Sequence, residues 1–252
     1  MKLKVLFELA ANDFRAKYAG SVLGGVWAFI SPVVMVLIYW FVFAFAVGTN
    51  AASDAPYILW LTSGIAPYLY FAEAFQAETT ALTDYSYLCK KMKFDPAALP
   101  AVRLISSGFS HVFFIALVFL TAALCGVFSE IKPLTLIYFI ICEICLCAAL
   151  GYLTSIINAY FKDISSAVSV ALLLGYWVTP LFWDISTPGA AGMIFKLNPM
   201  TYIVYGFREA FGCGSGVIGL GYTAFFWALT AAMGATALFL WRRLRSGIPD
   251  VV

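Results

Sequence analysis

Two acids and one histidine, Glu73, Glu143 and His111, stand inside long apolar runs of this chain, where an ionisable side chain is a functional candidate by default. An acid placed there has to be neutral, paired or facing water. A proton relay needs a chain of such groups, and with only two acids in place both read as structural pairs. His111 belongs to no nucleophilic constellation and reads as a helix-to-helix hydrogen bonder. Cys142, Cys145 and Cys147 beside Glu143 could hold a metal, but the one histidine of the chain is not near them. Thiols in apolar runs behave as small hydrophobes, so core packing is the reading, and the six cysteines form no disulfide framework. Gly214, Gly216 and Gly219 match G-x-G-x-x-G with no strand before them, which leaves a flexible loop. No G-x-x-x-x-G-K-[ST] is present to cradle a nucleotide. The chain is therefore expected to have no catalytic residue, no metal site and no cofactor of its own.

Aromatic residues are the stronger signal. Tyr39, Trp40, Phe41, Phe43 and Phe45 crowd one stretch; Tyr68, Tyr70, Phe71 and Phe75 a second; Tyr176, Trp177, Phe182 and Trp183 a third. At a membrane boundary such rings form anchoring belts. Tyr39, Tyr68 and Tyr70 lie well inside their runs, however, where a phenol needs a partner or water. A polar-lined substrate path is the second reading, with Tyr39, Trp40, Phe43, Tyr68, Tyr70, Phe71, Tyr176 and Trp177 as its candidate lining. Aromatic faces suit the apolar faces of sugar rings, which points to carbohydrate. The other unusual stretch is YLCKKMKFDP (87–96), a basic knot in a chain with only 11% charged residues. It is either an orienting loop or a handle for another protein.

The elements that must position these residues follow from composition. The chain is 63% hydrophobic, far above the roughly 45 to 50% of soluble domains, which makes it an integral membrane protein. A net charge of +2 is too small to argue for a nucleic-acid partner, and none is expected. A spanning helix needs about 20 apolar residues, and six segments qualify: 26–47, 57–77, 104–127, 134–161, 164–183 and 222–241. Backbone groups in hydrocarbon must be satisfied within their own segment, so the expected fold is an all-α bundle forming one membrane domain. Lys132, Lys196 and Arg208 are the only basic residues in the loops of one side. All the others fall on the opposite side, which the positive-inside rule makes cytoplasmic, with both termini there. Before the first span, Leu3, Phe7, Ala10, Phe14 and Tyr18 recur at helical spacing opposite Lys4, Glu8 and Arg15. That predicts an amphipathic helix over 1–22, lying in the interface or packed on the bundle. No cleavable signal is expected, because charges are mixed through the first twenty residues. The loop 184–220 is apolar but too broken to span, and reads as short helices re-entering the outer leaflet or as an external lid.

Several stretches together resemble the ABC-2 type permeases that export lipid-linked polysaccharides, O-antigens, capsules and teichoic acids. ANDFRAKYAGSVLGGVWAFISPVV (11–34) carries the family's D-x-[KR]-x-[KR]-Y run, then L-G-x-x-W and a proline, at Asp13, Arg15, Lys17, Tyr18, Leu23, Gly24, Trp27 and Pro32. INAYFKDISSAVSVALLLGYWVTPLFW is similar to its N-x-x-[FY]-[RK]-D-[IL] stretch and closing T-P. LNPMTYIVYGFREAF resembles its external N-P segment, and RRLRSGIPDVV its basic C-terminus. The matches are collinear over the whole chain.

The resemblance implies a half-transporter in the bacterial cytoplasmic membrane. Two copies of this chain would form the path, and two copies of a separate nucleotide-binding subunit, carrying ATP and Mg, would drive it. It implies a cytoplasmic coupling helix at 82–94, with Tyr87, Leu88, Lys90, Lys91, Met92 and Phe94 meeting the ATPase subunit and Lys162 and Asp163 as a second contact. An external gate would be built from Asn198, Pro199, Tyr202, Arg208 and Glu209. The implied substrate is an undecaprenyl-diphosphate-linked glycan. Arg15 and Lys17 would attract its diphosphate or, equally, serve only as positive-inside anchors. The alternatives are an ABC-2 exporter of drugs or small lipids, or a stand-alone secondary transporter.

Overall fold

The computed structural model describes residues 3–17, 26–48, 56–91, 95–185, 195–214 and 216–252. Among them the secondary structure is helical, with no strand. In chain order the helices are α1 (Leu3–Lys17), α2 (Trp27–Phe41), α3 (Tyr57–Asp84), α4 (Ser86–Lys91), α5 (Ala98–Leu124) and α6 (Pro133–Tyr160). They continue as α7 (Ile164–Val178), α8 (Pro199–Ala210), α9 (Leu220–Leu244) and α10 (Ile248–Val251). Three of these, α5, α6 and α9, are both long and apolar enough to cross a membrane, and α7 is a shorter apolar helix.

Local chemistry sets several boundaries. Pro56 starts α3 by accepting from the Leu59 and Trp60 N–H groups (3.0 and 3.2 Å), and Pro133 stands at the first turn of α6. A proline costs nothing there, since the N–H it lacks would have no helical partner. Asn198 caps α8, its side chain accepting from the Met200 N–H at 3.0 Å, with Pro199 next in line. Beyond Phe41, α2 continues as a π-helical stretch, Val42–Val47. The run expected at 164–183 stops being helical at Val178, because Pro180 disfavours helical geometry at Thr179, which is extended. The coupling segment expected at 82–94 divides: 82–84 is the end of α3, the chain turns at Tyr85, and α4 follows.

Helix α3 is the hub. It is flanked by α5, α6, α7, α8 and α2, and buries Trp60, Leu61, Ile65, Tyr68, Tyr70 and Phe71 among them. Two of its buried hydroxyls are satisfied within the helix: Thr62 donates to the Ile58 carbonyl (2.6 Å) and Thr79 to that of Phe75 (2.8 Å). Lipid is as apolar as leucine, so helix association in a membrane rests on close packing and such internal bonds instead of on water release. One contact shows how close: a methyl group on Gly206 of α8 would lie 2.1 Å from the Phe139 ring of α6. A second apolar cluster, with Leu82, Cys89, Leu99, Ile156, Trp241 and Ile248, joins α4 and α10 to the ends of α3, α5, α6 and α9.

Candidate functional site

Residues with polar or aromatic chemistry gather in four places. The first is an aromatic layer between α2, α3 and α7. Tyr39 lies 4.8 Å from Phe182 and 6.0 Å from Tyr176, centroid to centroid; Tyr68 lies 5.3 Å from Tyr176; Phe43 stacks on Phe182 at 4.7 Å. The Tyr68 hydroxyl donates to the Leu172 carbonyl at 2.5 Å, which ties α3 to α7. Phe71 extends the layer from Tyr68, Trp177 edges onto Tyr176, and Trp40 meets Phe45. Tyr70 does not join it. Two residues along a helix are about 200° of rotation, which turns Tyr70 to the opposite face, where it stacks on His111 at 4.2 Å. Phe182, at the centre of the layer, follows the Thr179–Pro180 break, and the candidate lining read from sequence did not include it. Outward of the layer, α2 and α7 present Phe41, Phe45, Leu173, Leu174 and Trp177 exposed. A groove of about 410 Å³ runs along α2 past Trp27, Ile30, Ser31, Val34 and Tyr39.

The second place is a polar node where α1 meets α3 and α5. Arg103 donates to Asp13 (3.0 Å) and Asp84 (2.7 Å), and the Tyr85 hydroxyl donates to Asp13 as well. Burial, and then the bond to Asp13, push the Tyr85 hydroxyl pKa up, so it remains a donor through the physiological range. Lys17 donates to Glu73 at 2.6 Å, and Ser110 to the same oxygen at 3.1 Å. Glu73 is thus a paired acid. Lys17, expected to attract a diphosphate, is engaged with Glu73, and Arg15 is exposed. Asp13, Lys17, Tyr85, Arg103, Ser106 and Ser107 line a cavity of about 340 Å³. Arg103 carries this node and had no sequence signal beyond its place at the start of an apolar run.

Beside the node, α4 presents Tyr87 exposed and turns Leu88 into the second apolar cluster. Lys90 and Lys91 end α4, while Met92 and Phe94 lie outside the described residues. Lys162 and Asp163 are exposed in the turn between α6 and α7, a turn held by the Asn158 side chain accepting from the Ser165 N–H (3.0 Å).

The third place is α8, at the opposite end of the bundle. Asn198 also donates to Thr179 (2.8 Å), joining the start of α8 to the end of α7. The Tyr202 hydroxyl donates to Thr223 (3.0 Å), Trp227 donates to Tyr138 (2.9 Å), and the two tyrosine hydroxyls meet at 3.0 Å. Glu209 pairs with Lys132 at 2.5 Å, and Tyr205 donates to Asp184. Arg208 is fully buried over the Trp60 ring.

The fourth is interior. His111 Nε2 of α5 lies 3.4 Å from the Glu143 carboxylate of α6, but no hydrogen bond joins them among the described residues, so His111 is not the helix-to-helix hydrogen bonder expected from sequence. Glu78, which sequence reading passed over, is buried against Gly151 of α6. Cys142 and Cys147 are buried free thiols in the same helix.

Residues 4–211 match the family described as ABC-2 type transporter. The chain is 24% identical, over 82% of its length and 80% of the relative's, to an O-antigen export system permease protein RfbA from Myxococcus xanthus. It is 20% identical over 98% of its length, and 95% of the relative's, to the protein of that name from Klebsiella pneumoniae.

Proposed function

The chain belongs to the ABC-2 type transporter family, and we propose that it is the membrane-spanning subunit of an ATP-driven exporter of an undecaprenyl-diphosphate-linked polysaccharide. The observation that carries this reading is the aromatic layer where α2, α3 and α7 converge, beside an outward face rich in exposed apolar side chains. In a homodimer two such faces meet, and the rings between them offer flat apolar surfaces to sugars. The names of the relatives, O-antigen export permeases, support the glycan class. Six crossings, made by α2 with its π-helical extension, α3, α5, α6, α7 and α9, leave both termini in the cytoplasm, as the distribution of lysine and arginine favours.

In this reading two copies of a nucleotide-binding subunit dock against α4 and the Lys162–Asp163 turn. The polar node links α4, through Tyr85 and Asp84, to α1 in the cytoplasmic interface, where Arg15 and Lys17 lie near the diphosphate. Helix α8 is the outer gate. Depletion of the protein should make a lipid-linked glycan accumulate on the cytoplasmic leaflet, and the purified protein should carry an ATPase subunit. Co-purification without any glycan accumulation would turn the assignment to drugs or small lipids. Purification alone, with no stimulated hydrolysis, would refute an ABC exporter.

A further inference from the structure

Arg208 lies on α8 with 0% exposure, and among the described residues no carboxylate is within ion-pair distance of it. Its guanidinium sits 3.4 Å from the centroid of the Trp60 ring, with Tyr205 at 5.2 Å. Nε donates to the Trp60 carbonyl (3.3 Å) and Nη2 to the Leu181 carbonyl (3.0 Å), while Nη1 has no partner among the described residues. The acid on the same side, Asp184, accepts from the Tyr205 hydroxyl and the Ile185 N–H through Oδ1, and its Oδ2 has no hydrogen-bond partner among the described residues.

This geometry joins three elements: α8, the first turns of α3, and the segment that follows α7. Each contact contributes only while all three stay together. A charge withdrawn from water is costly unless fully paired, and this one is held by two carbonyls and a ring. Separating the elements would break the contacts and at the same time restore hydration to the cation. Two distinct arrangements, one packed and one hydrated, are what a gate requires. We propose that Arg208 is the positioning residue of the outer gate, a pin that holds α8 against α3 and the end of α7 and is released into water when the exit opens. The proposal rests on reading α8 as that gate.

Native thiols supply the test. Cys213, just after α8, is buried, and its N–H donates to the Arg208 carbonyl at 2.8 Å. Cys142 and Cys147 are buried in α6 and report on the fold. The complex in lipid nanodiscs is exposed to a charged maleimide, and each cysteine is read by mass spectrometry. Arg208→Met should speed Cys213 labelling about tenfold or more, a local opening, with Cys142 and Cys147 unchanged. Arg208→Lys, which keeps the charge but cannot bridge two carbonyls while stacking, should fall between. Gly64→Ala keeps the arginine and would place a methyl group 2.8 Å from Nη2, displacing it, so Cys213 labelling should rise there too. If Arg208→Met exposes Cys147 as well, the arginine supports the whole fold and the pin is overturned unless Gly64→Ala shows selective exposure. Unchanged Cys213 labelling in both variants overturns it outright. The readout needs neither ATP nor glycan, so it stands apart from the export assignment. Adding ATP to the wild-type complex should raise Cys213 labelling; a flat response beside a sensitive Arg208→Met variant refutes the gate reading of α8.

Discussion

Replacing Arg103 by methionine should undock α1 from the bundle. The arginine donates to Asp13 of α1 at 3.0 Å and to Asp84 at 2.7 Å, and lies 4.9 Å over the Tyr85 ring. Methionine keeps much of the stem's packing, so the loss is mainly of charge. The two carboxylates are not equivalent: Asp13 has a side-chain exposure of 7% and Asp84 of 45%. Removing one partner of a buried pair costs about 3 to 5 kcal/mol, because a charge is left without compensation. An exposed pair contributes about 1 kcal/mol or less. Arg103 itself retains 19% exposure, and Tyr85 still donates to Asp13, so the lower end applies, about 3 kcal/mol. That is roughly a hundredfold shift in the docking equilibrium of α1. Hydrogen exchange measured over residues 3–17 should accelerate by that order, with α6 unaffected. Adding Asp13→Asn to the variant removes the stranded charge and should recover most of the protection, a coupling that a double-mutant cycle reads directly. Exchange in α1 that changes by less than about twofold would show that the node does not hold the helix.

Three further outcomes follow from the same contacts. Gly206→Ala would press a methyl group into the Phe139 ring, and overpacking of this kind should lower stability by about 1 to 3 kcal/mol, seen as an earlier thermal transition in detergent. Asn198→Ala removes the cap of α8 and its bond to Thr179; a loss of about 1 kcal/mol or slightly more is expected, with faster exchange confined to the first turn of α8. Tyr87→Ala, at an exposed position of α4, should leave membrane insertion and thermal stability unchanged while ATP hydrolysis by the complex no longer drives export. Coupling that survives the change would return α4 to an orienting loop.

Elements were legible where their causes are local. The apolar runs over 104–127 and 134–161 correspond to α5 and α6, the apolar spacing of Leu3, Phe7, Ala10 and Phe14 to α1, and Asn198–Pro199 to the start of α8. Intramembrane acids could be recognised by type alone: Glu73 meets Lys17, whereas Glu143 lies beside His111 with no hydrogen bond to either carboxylate oxygen among the described residues. Glu78 escaped because α3 runs seven residues past the expected end at 77, so a position outside the apolar run lies inside the bundle. Tyr70 was grouped with Tyr68 because composition counts rings without asking which face of the helix each one takes.

The sequence by itself determined that this chain is a helical membrane protein. Apolar length and backbone hydrogen bonding in hydrocarbon are properties of each segment alone. Its family was legible as well, since collinear motifs survive along the chain. Only the tertiary structure decided which charges meet. Asp13 finds Arg103, Lys17 finds Glu73, and Arg208 comes to rest over Trp60 with no carboxylate in ion-pair distance among the described residues. Those pairings join residues far apart along the chain. They are chosen by which helix faces pack together, and no local pattern records that choice, because the energy that selects it belongs to the assembled bundle and not to any one helix.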